Sequence, residues 1–280
     1  PPTAAEGAII ADLSRAGKRL MGFCRTNLFK RLESSGQAFI QSVERHILRN
    51  YVCLHAIETK QPIPIGTQDA SLLDDRIQDR DLDLFADEDD NDSVSPGMNN
   101  GLRTEADFRK QAERVYELYA GPLKKHFRWL SAERFRAELK KDLRADINTL
   151  LGVLLRCGAW NPQQDAKLKR LIDLISCSHP GQKLIVFSQF ADTVDYLAAQ
   201  LSVHGVQRMA GVTGDTEDPT KIAWQFSPES NKKRSEIGPL QELDVLISTD
   251  VLSEGQNLQD GAIIVNYDLP WAIIRLIQRA

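Results

Sequence analysis

Past Pro180-Gly181, short continuous apolar runs alternate with segments of helical period, and this restricts the fold more than any other feature of the chain. The runs are Leu184-Ile185-Val186-Phe187, residues 206–209, Val245-Leu246-Ile247 and Ala262-Ile263-Ile264-Val265. A strand that is apolar on both sides has to be covered on both faces, which is the situation of a parallel sheet with helical crossovers. The expectation is an α/β domain over residues 161–280, containing a parallel sheet of at least four strands.

Residues 1–160 have a different period. Between residues 9 and 57 the clearest stripe is Phe39, Val43, Ile47, Tyr51 and Leu54, at three- and four-residue spacing behind Ser34-Ser35 as N-cap candidates. Eight Arg and Lys between Arg15 and Arg49 against Glu33 and Glu44 make the opposite face basic. Helical spacing returns at Phe108, Ala112, Val115 and Tyr119. It returns again over residues 131–156 with Phe135, Leu139, Leu143, Ile147, Leu150 and Leu154. A shorter helix follows through Leu168, Leu171, Ile172 and Ile175. Between these helices, residues 60–102 lose all periodicity and hold Pro62, Pro64 and Pro96. They also hold the run Asp87-Glu88-Asp89-Asp90, and together these mark a flexible acidic insertion.

Charge follows the same division. Residues 69–92 carry eleven acidic side chains against Arg76 and Arg80, a local net of −9 in a chain whose net is −4, which leaves +5 for the rest. Basic clusters on the helices are a footprint for phosphates, although a solvated helix face has the same composition. Cys24, Cys53, Cys157 and Cys177 are far apart, form no C-x-x-C pair and read as reduced thiols. The five histidines are scattered and no His-Glu-x-x-His spacing exists, so no metal site is assigned. No apolar run reaches the roughly 20 residues that cross a bilayer, and the expected location is cytoplasmic and nucleoid-associated. The absence of an initiating Met, and the end at Arg279-Ala280 inside a helical pattern, read as a piece cut at both ends.

In an open parallel sheet, ligands sit in the crevice at the carboxyl ends of the strands, so the residues after each apolar run carry the chemistry. The first such junction is Phe187-Ser188-Gln189-Phe190, whose hydroxyl and amide could equally be a strand-end cap. The second is Ser248-Thr249-Asp250-Val251-Leu252-Ser253-Glu254-Gly255-Gln256-Asn257-Leu258-Gln259, crowded with hydroxyls, carboxylates, amides and a glycine. An ordinary polar loop rarely needs that mixture. A hydroxyl with free backbone N–H groups suits a phosphate, Gly255 permits close backbone approach, and Asn257 can pair with a sugar or phosphate oxygen. Gly17-Lys18 is not a phosphate-binding loop, because Arg19 follows it and Asp12 stands where the earlier glycine would fall. Asp87-Glu88 has no buried strand before it and is not a metal-binding pair.

These segments, read in order, resemble consecutive motifs of superfamily 2 helicases. They are Val186-Phe187-Ser188-Gln189-Phe190, Val212-Thr213-Gly214, the stretch from Ser248 to Gln259, Asn266-Tyr267-Asp268-Leu269-Pro270-Trp271, and Leu276-Ile277-Gln278-Arg279-Ala280. The resemblance is nearest to bacterial Swi/Snf-like ATPases, including the RapA type that acts on RNA polymerase. Phe29-Lys30-Arg31-Leu32-Glu33-Ser34-Ser35 is similar to the segment that joins the two lobes in those proteins. The resemblance implies a RecA-like open parallel sheet, the helicase C-terminal lobe, preceded by a mainly helical inter-lobe region.

It further implies that Ser188, Gln189, Phe190, Gly214, Ser248, Thr249 and Asp250 face nucleic acid. Glu254, Gly255, Asn257, Gln278 and Arg279 would face ATP with Mg2+, held mainly by a first lobe. The implied partners are double-stranded DNA, the protein's own first lobe, and RNA polymerase or another DNA-bound protein. The pattern departs at Ala280, where the family continues with glycine and further arginines; arginine fingers are worth roughly 10³ to 10⁵ in rate. These 280 residues alone are therefore expected not to turn over ATP. A rival reading is an inactive nucleic-acid or RNA-polymerase binding module on the same scaffold. A small-molecule enzyme on a nucleotide-binding sheet suffers from the lack of a G-x-G-x-x-G turn after any strand.

Overall fold

The computed structural model describes residues 3–66, 104–252, 256–270, 274, 276 and 279, with the side chains of residues 4, 5, 12 and 14–24 excepted. Most of the acidic insertion, together with Ser253, Glu254, Gly255, Trp271 and Gln278, lies outside the described residues. The chain forms two compact units, Pro1–Lys30 with Phe39–Ala159, and Arg31–Ala38 with Trp160–Ala280. Among the described residues, no helix is long and apolar enough to cross a membrane.

The first unit is built on helices α1 (Ala4–Ser34), α2 (Gly36–Glu58), α3 (Glu105–Ala120) and α4 (Glu138–Cys157). The last residues of α1 and the first of α2 belong to the second unit. Of the α2 stripe Val43, Ile47, Tyr51 and Leu54 are buried and Phe39 partly so, while the α3 stripe of Phe108, Ala112, Val115 and Tyr119 is buried throughout. Helix α3 starts at a capping box, in which Thr104 accepts from the Asp107 N–H and Asp107 accepts from the Thr104 N–H. Tyr51 stacks on Phe108 at 6.1 Å, and Tyr119 meets Phe127 at 4.4 Å between ring centres.

Several local expectations shift. The helix expected from residue 131 begins only at Glu138, because Ser131 opens a single 3-10 turn and Phe135 is extended. Of its stripe, Ile147 and Leu154 are buried and Leu139, Leu143 and Leu150 only partly so. A two-stranded antiparallel ribbon, β1 (Ile63–Ile65) with β2 (Arg128–Leu130), was invisible in the sequence, since three residues carry no period. The basic face is also narrower than its composition implied, as Arg31 and Arg45 are buried.

The second unit carries α5 (Ala166–Asp173), β3 (Leu184–Phe187), α6 (Ala191–Val203), β4 (Met209–Val212), α7 (Pro219–Phe226), β5 (Val245–Ser248) and β6 (Ile263–Asn266). The sheet order is β4-β5-β3-β6 and every pairing is parallel. Alternate side chains of β3 and β5 serve two cores. Leu184, Val186, Val245 and Ile247 pack with α5 and α6, while Ile185, Phe187 and Leu246 pack with Phe226 of α7 and with Leu252. Beta strand β4 starts three residues later than its apolar run. Val206 instead bonds through its N–H to the Leu201 carbonyl in the turn that ends α6, and Gly205 (φ 80°) and Arg208 (φ 51°) are left-handed.

Trp160 packs on the core of the α/β unit and donates to the Tyr196 hydroxyl at 3.0 Å. Its ring also covers Gly36, where an added Cβ would lie 2.2 Å from the indole. Only a glycine fits there.

The base of the sheet is tied by Lys183, whose ammonium donates to the carbonyls of Phe226 and Leu243 and pairs with Glu242 at 2.9 Å. Hydrogen bonding from Arg234 holds the Glu242 carboxyl down at about 2, against the opposing pull of burial and with help from Lys183. A carboxyl depressed in the folded state contributes stability above its ordinary value of 4.5, and that contribution is lost as pH falls from 4.5 towards 2. Urea midpoints measured across this window should fall less steeply for Glu242→Gln than for the parent, and equal slopes would contradict the assignment.

Candidate functional site

Consecutive strands determine where a ligand crevice can open. From β3 the chain crosses to β4 on one side, and from β5 it passes over β3 to β6 on the other side. The two crossovers therefore leave the neighbouring strands β3 and β5 in opposite directions. The switch point lies between their carboxyl ends, the place where open α/β sheets bind ligands. Ser188-Gln189 follows β3 and Ser248-Thr249-Asp250 closes β5 at that point. The backbone itself spans the gap, with the Ser188 N–H donating to the Ser248 carbonyl at 3.0 Å and the Thr249 N–H to the Val212 carbonyl at 3.0 Å.

The side chains divide into framework and front. Ser188 and Ser248 are wholly buried. The Ser248 hydroxyl donates to the Thr249 carbonyl at 2.7 Å, and the Ser188 hydroxyl donates to Asp268 at 2.6 Å. Phe190 is buried too, with the Arg31 guanidinium 4.7 Å above its ring. Gln189 and Asp250 are partly exposed, and Gly214 is exposed in the turn that follows β4. The Thr249 hydroxyl is buried and has no hydrogen-bond partner among the described residues. An unsatisfied buried hydroxyl costs about 1–3 kcal/mol, which makes Thr249 a candidate donor at the switch point.

Asp268, two residues beyond β6, is the centre of the arrangement. Its Oδ2 accepts from Ser188 and from Ser34, each at 2.6 Å, and its Oδ1 accepts from the Gln189 backbone N–H at 2.8 Å. Ser34, expected to cap α2, is directed here instead, and α2 starts at Gly36 without it. Lys167 holds the end of α1 by donating to the Glu33 and Ser34 carbonyls at 2.9 and 3.0 Å, and sits 4.0 Å from the centre of the Tyr267 ring. Burial lowers the pKa of this ammonium. Neither Asp268 nor Ser34 was singled out as a site residue. The signal for Asp268 was its place just after an apolar run; Ser34 offered none beyond a serine at a helix junction.

Two of the residues expected to face ATP have internal partners. Arg279 is 4% exposed, donates to Asp250 at 2.7 Å and to Asn266 at 2.8 Å, and stacks on Phe187 at 5.1 Å. Asn257 donates to the Ser230 carbonyl at 3.0 Å and accepts from the Gln259 N–H at 3.2 Å, so its amide ties its own turn to the loop that holds Ser230. Gln256 reaches Thr220 at 3.1 Å. Among the described residues, no cluster of His, Cys, Asp and Glu has the arrangement of a metal site.

Comparison with known proteins gives this geometry a setting. Residues 166–280 match the helicase conserved C-terminal domain. The chain is similar to the ATP-dependent RNA helicase RhlB of Shewanella sp. (strain W3-18-1), at 27% identity over 158 residues, 56% of this chain and 33% of that protein. It is similar to RhlB of Shewanella amazonensis at 28% over 160 residues, again 56% and 33%. It is also similar to the DEAD-box ATP-dependent RNA helicase 35B of Oryza sativa subsp. japonica, at 27% over 117 residues, 42% of this chain and 17% of that protein. The chain spans a third or less of the length of these relatives. The expected fold holds, a RecA-like open parallel sheet preceded by a helical region.

Proposed function

We propose, from the premise that residues 166–280 form a helicase conserved C-terminal domain, that this chain is the second motor lobe of an ATP-dependent translocase of the Swi/Snf-like type acting on double-stranded DNA. The observation that carries the reading is the convergence of Ser188-Gln189 and Ser248-Thr249-Asp250 at the switch point of an all-parallel sheet. In this reading Gln189, Gly214 and Thr249 meet the nucleic-acid backbone, while Ser188, Phe190, Ser248 and Asp250 hold the loops that present them. Phosphate contacts of this kind position a motor on its track without reading sequence.

ATP with Mg2+ would lie between this lobe and a first lobe. Glu254, Gly255 and Gln278 are the candidates on this side. Because Asn257 and Arg279 already use donors internally, their contribution is to fix the loop and the last helix. That division suits a nucleotide held mainly by the other lobe, which supplies the phosphate-binding loop. RNA polymerase, or another protein bound to the track, is the partner that such a motor displaces.

RNA is the second reading for the track, favoured by the printed names of RhlB and the DEAD-box relative. The Swi/Snf-like reading rests instead on the run from Ser248 to Gln259 and on Asn266-Tyr267-Asp268-Leu269-Pro270-Trp271. Thr249→Val tests the site in the full-length protein, since it removes the hydroxyl and keeps the volume. The expected result is at least a fivefold loss of DNA-stimulated ATP hydrolysis with an unchanged or slightly raised melting temperature, because the hydroxyl has no hydrogen-bond partner among the described residues. Undiminished stimulation would remove Thr249 from the site.

A further inference from the structure

We propose that Ser34 is a positioning residue for the nucleic-acid grip, acting through Asp268 on Ser188 and Gln189; this rests on the motor reading given above. The chain enters the α/β unit at Arg31, leaves after Ala38 and returns at Trp160. The short visit is densely bonded. Arg31 pairs with Asp192 at 2.6 Å and covers Phe190, while Ser34 meets Thr193 at 2.8 Å and Asp268 at 2.6 Å. Every one of these partners except Asp268 belongs to the segment that immediately follows β3.

The protons can be placed. The Asp268 carboxylate accepts, so Ser188 and Ser34 each give their single hydroxyl proton to its Oδ2, and Ser34 then accepts from Thr193. The chain from Thr193 through Ser34 and the separate bond from Ser188 converge on Asp268 Oδ2, and the opposite oxygen of the same carboxylate holds the Gln189 N–H at 2.8 Å. Linked hydrogen bonds of this kind strengthen one another in a buried setting. Ser34 therefore helps determine how the carboxylate is turned, and the carboxylate determines where the Gln189 backbone sits. Lys167 fixes Ser34 from behind through the Glu33 and Ser34 carbonyls. The elbow between α1 and α2 is thus joined to the segment after β3 by two of its side chains, Arg31 and Ser34.

The test is DNA-stimulated ATP hydrolysis by the full-length protein carrying Ser34→Ala, with Gln189→Ala and the double variant beside it. The expected result is a rise of about fivefold in the DNA concentration giving half-maximal stimulation, part of the worth of one charge-assisted hydrogen bond, with the saturated rate within about twofold of the parent. The double variant should fall short of the product of the two singles, because both changes act on one loop. Thr193→Val, which withdraws the donor to Ser34 at constant volume, should shift the same concentration in the same direction, and it carries the test if Ser34→Ala does not fold. Unchanged half-saturation in a stimulated parent, with only a lower melting temperature in the variants, would overturn the proposal and leave the motor reading standing. A parent that DNA does not stimulate would overturn both.

Discussion

Asp268→Ala is expected to lower the melting temperature of the α/β unit by on the order of 10 °C. The carboxylate accepts three bonds, from Ser188, Ser34 and the Gln189 backbone, and both Ser188 and Ser34 are buried. Leaving a buried donor without an acceptor costs about 1–3 kcal/mol, and water entering the space vacated by the side chain recovers part of that. A total of about 3–5 kcal/mol follows, and each kcal/mol displaces the midpoint of a unit this size by a few degrees. Asp268→Asn should cost less, since its oxygen can still accept from the Gln189 N–H while the Ser188 and Ser34 hydroxyls, now facing the amide NH2, turn to accept from it. Calorimetric melting of the two variants beside the parent measures the difference. A shift below about 3 °C for Asp268→Ala would mean that the three donors find other acceptors, and that Asp268 is not the centre of the site.

The second large effect concerns the pair between Arg31 and Asp192, at 2.6 Å with side chains only 4% and 5% exposed. Removing one member of a buried pair leaves the other charge desolvated, at a cost of about 3–5 kcal/mol. Asp192→Ala should therefore lower the urea midpoint sharply. Replacing both residues with apolar side chains, as in Arg31→Met with Asp192→Leu, should recover most of the loss, because the attraction within a buried pair roughly offsets its desolvation. The effect should persist at high salt, since counterions do not reach a buried pair. A double variant as unstable as Asp192→Ala would show that the charges themselves, rather than their mutual compensation, hold the elbow in place.

Strand and helix periods made the second unit readable. Three of the four apolar runs became strands within a residue of their expected place, and the carboxyl-end junctions fell at the switch point. The run at residues 206–209 misled because Val206 is apolar for a different reason, as the hydrophobic contact that closes a helix end. Period also failed for Phe135, whose spacing to Leu139 is helical although its backbone is extended. The candidate site was legible in the position of its loops and illegible in its supports. Ser188 and Thr249 announce themselves by following apolar strands, whereas the bonds from Ser34 to Asp268 span 234 positions and leave no local trace. For the same reason the internal roles of Arg279 and Asn257 could not be read from their motif, because their partners Asn266 and Ser230 are defined only once the sheet has formed.

The most direct test of the central claim is ATP hydrolysis by the full-length protein, measured without nucleic acid, with double-stranded DNA and with RNA at matched phosphate concentration. Stimulation by duplex DNA well above that by RNA is the predicted result, and it would establish the chain as part of a DNA motor. Stimulation by RNA alone would contradict the Swi/Snf-like assignment and align the chain with its RNA-helicase relatives, while hydrolysis indifferent to both would contradict the motor reading itself.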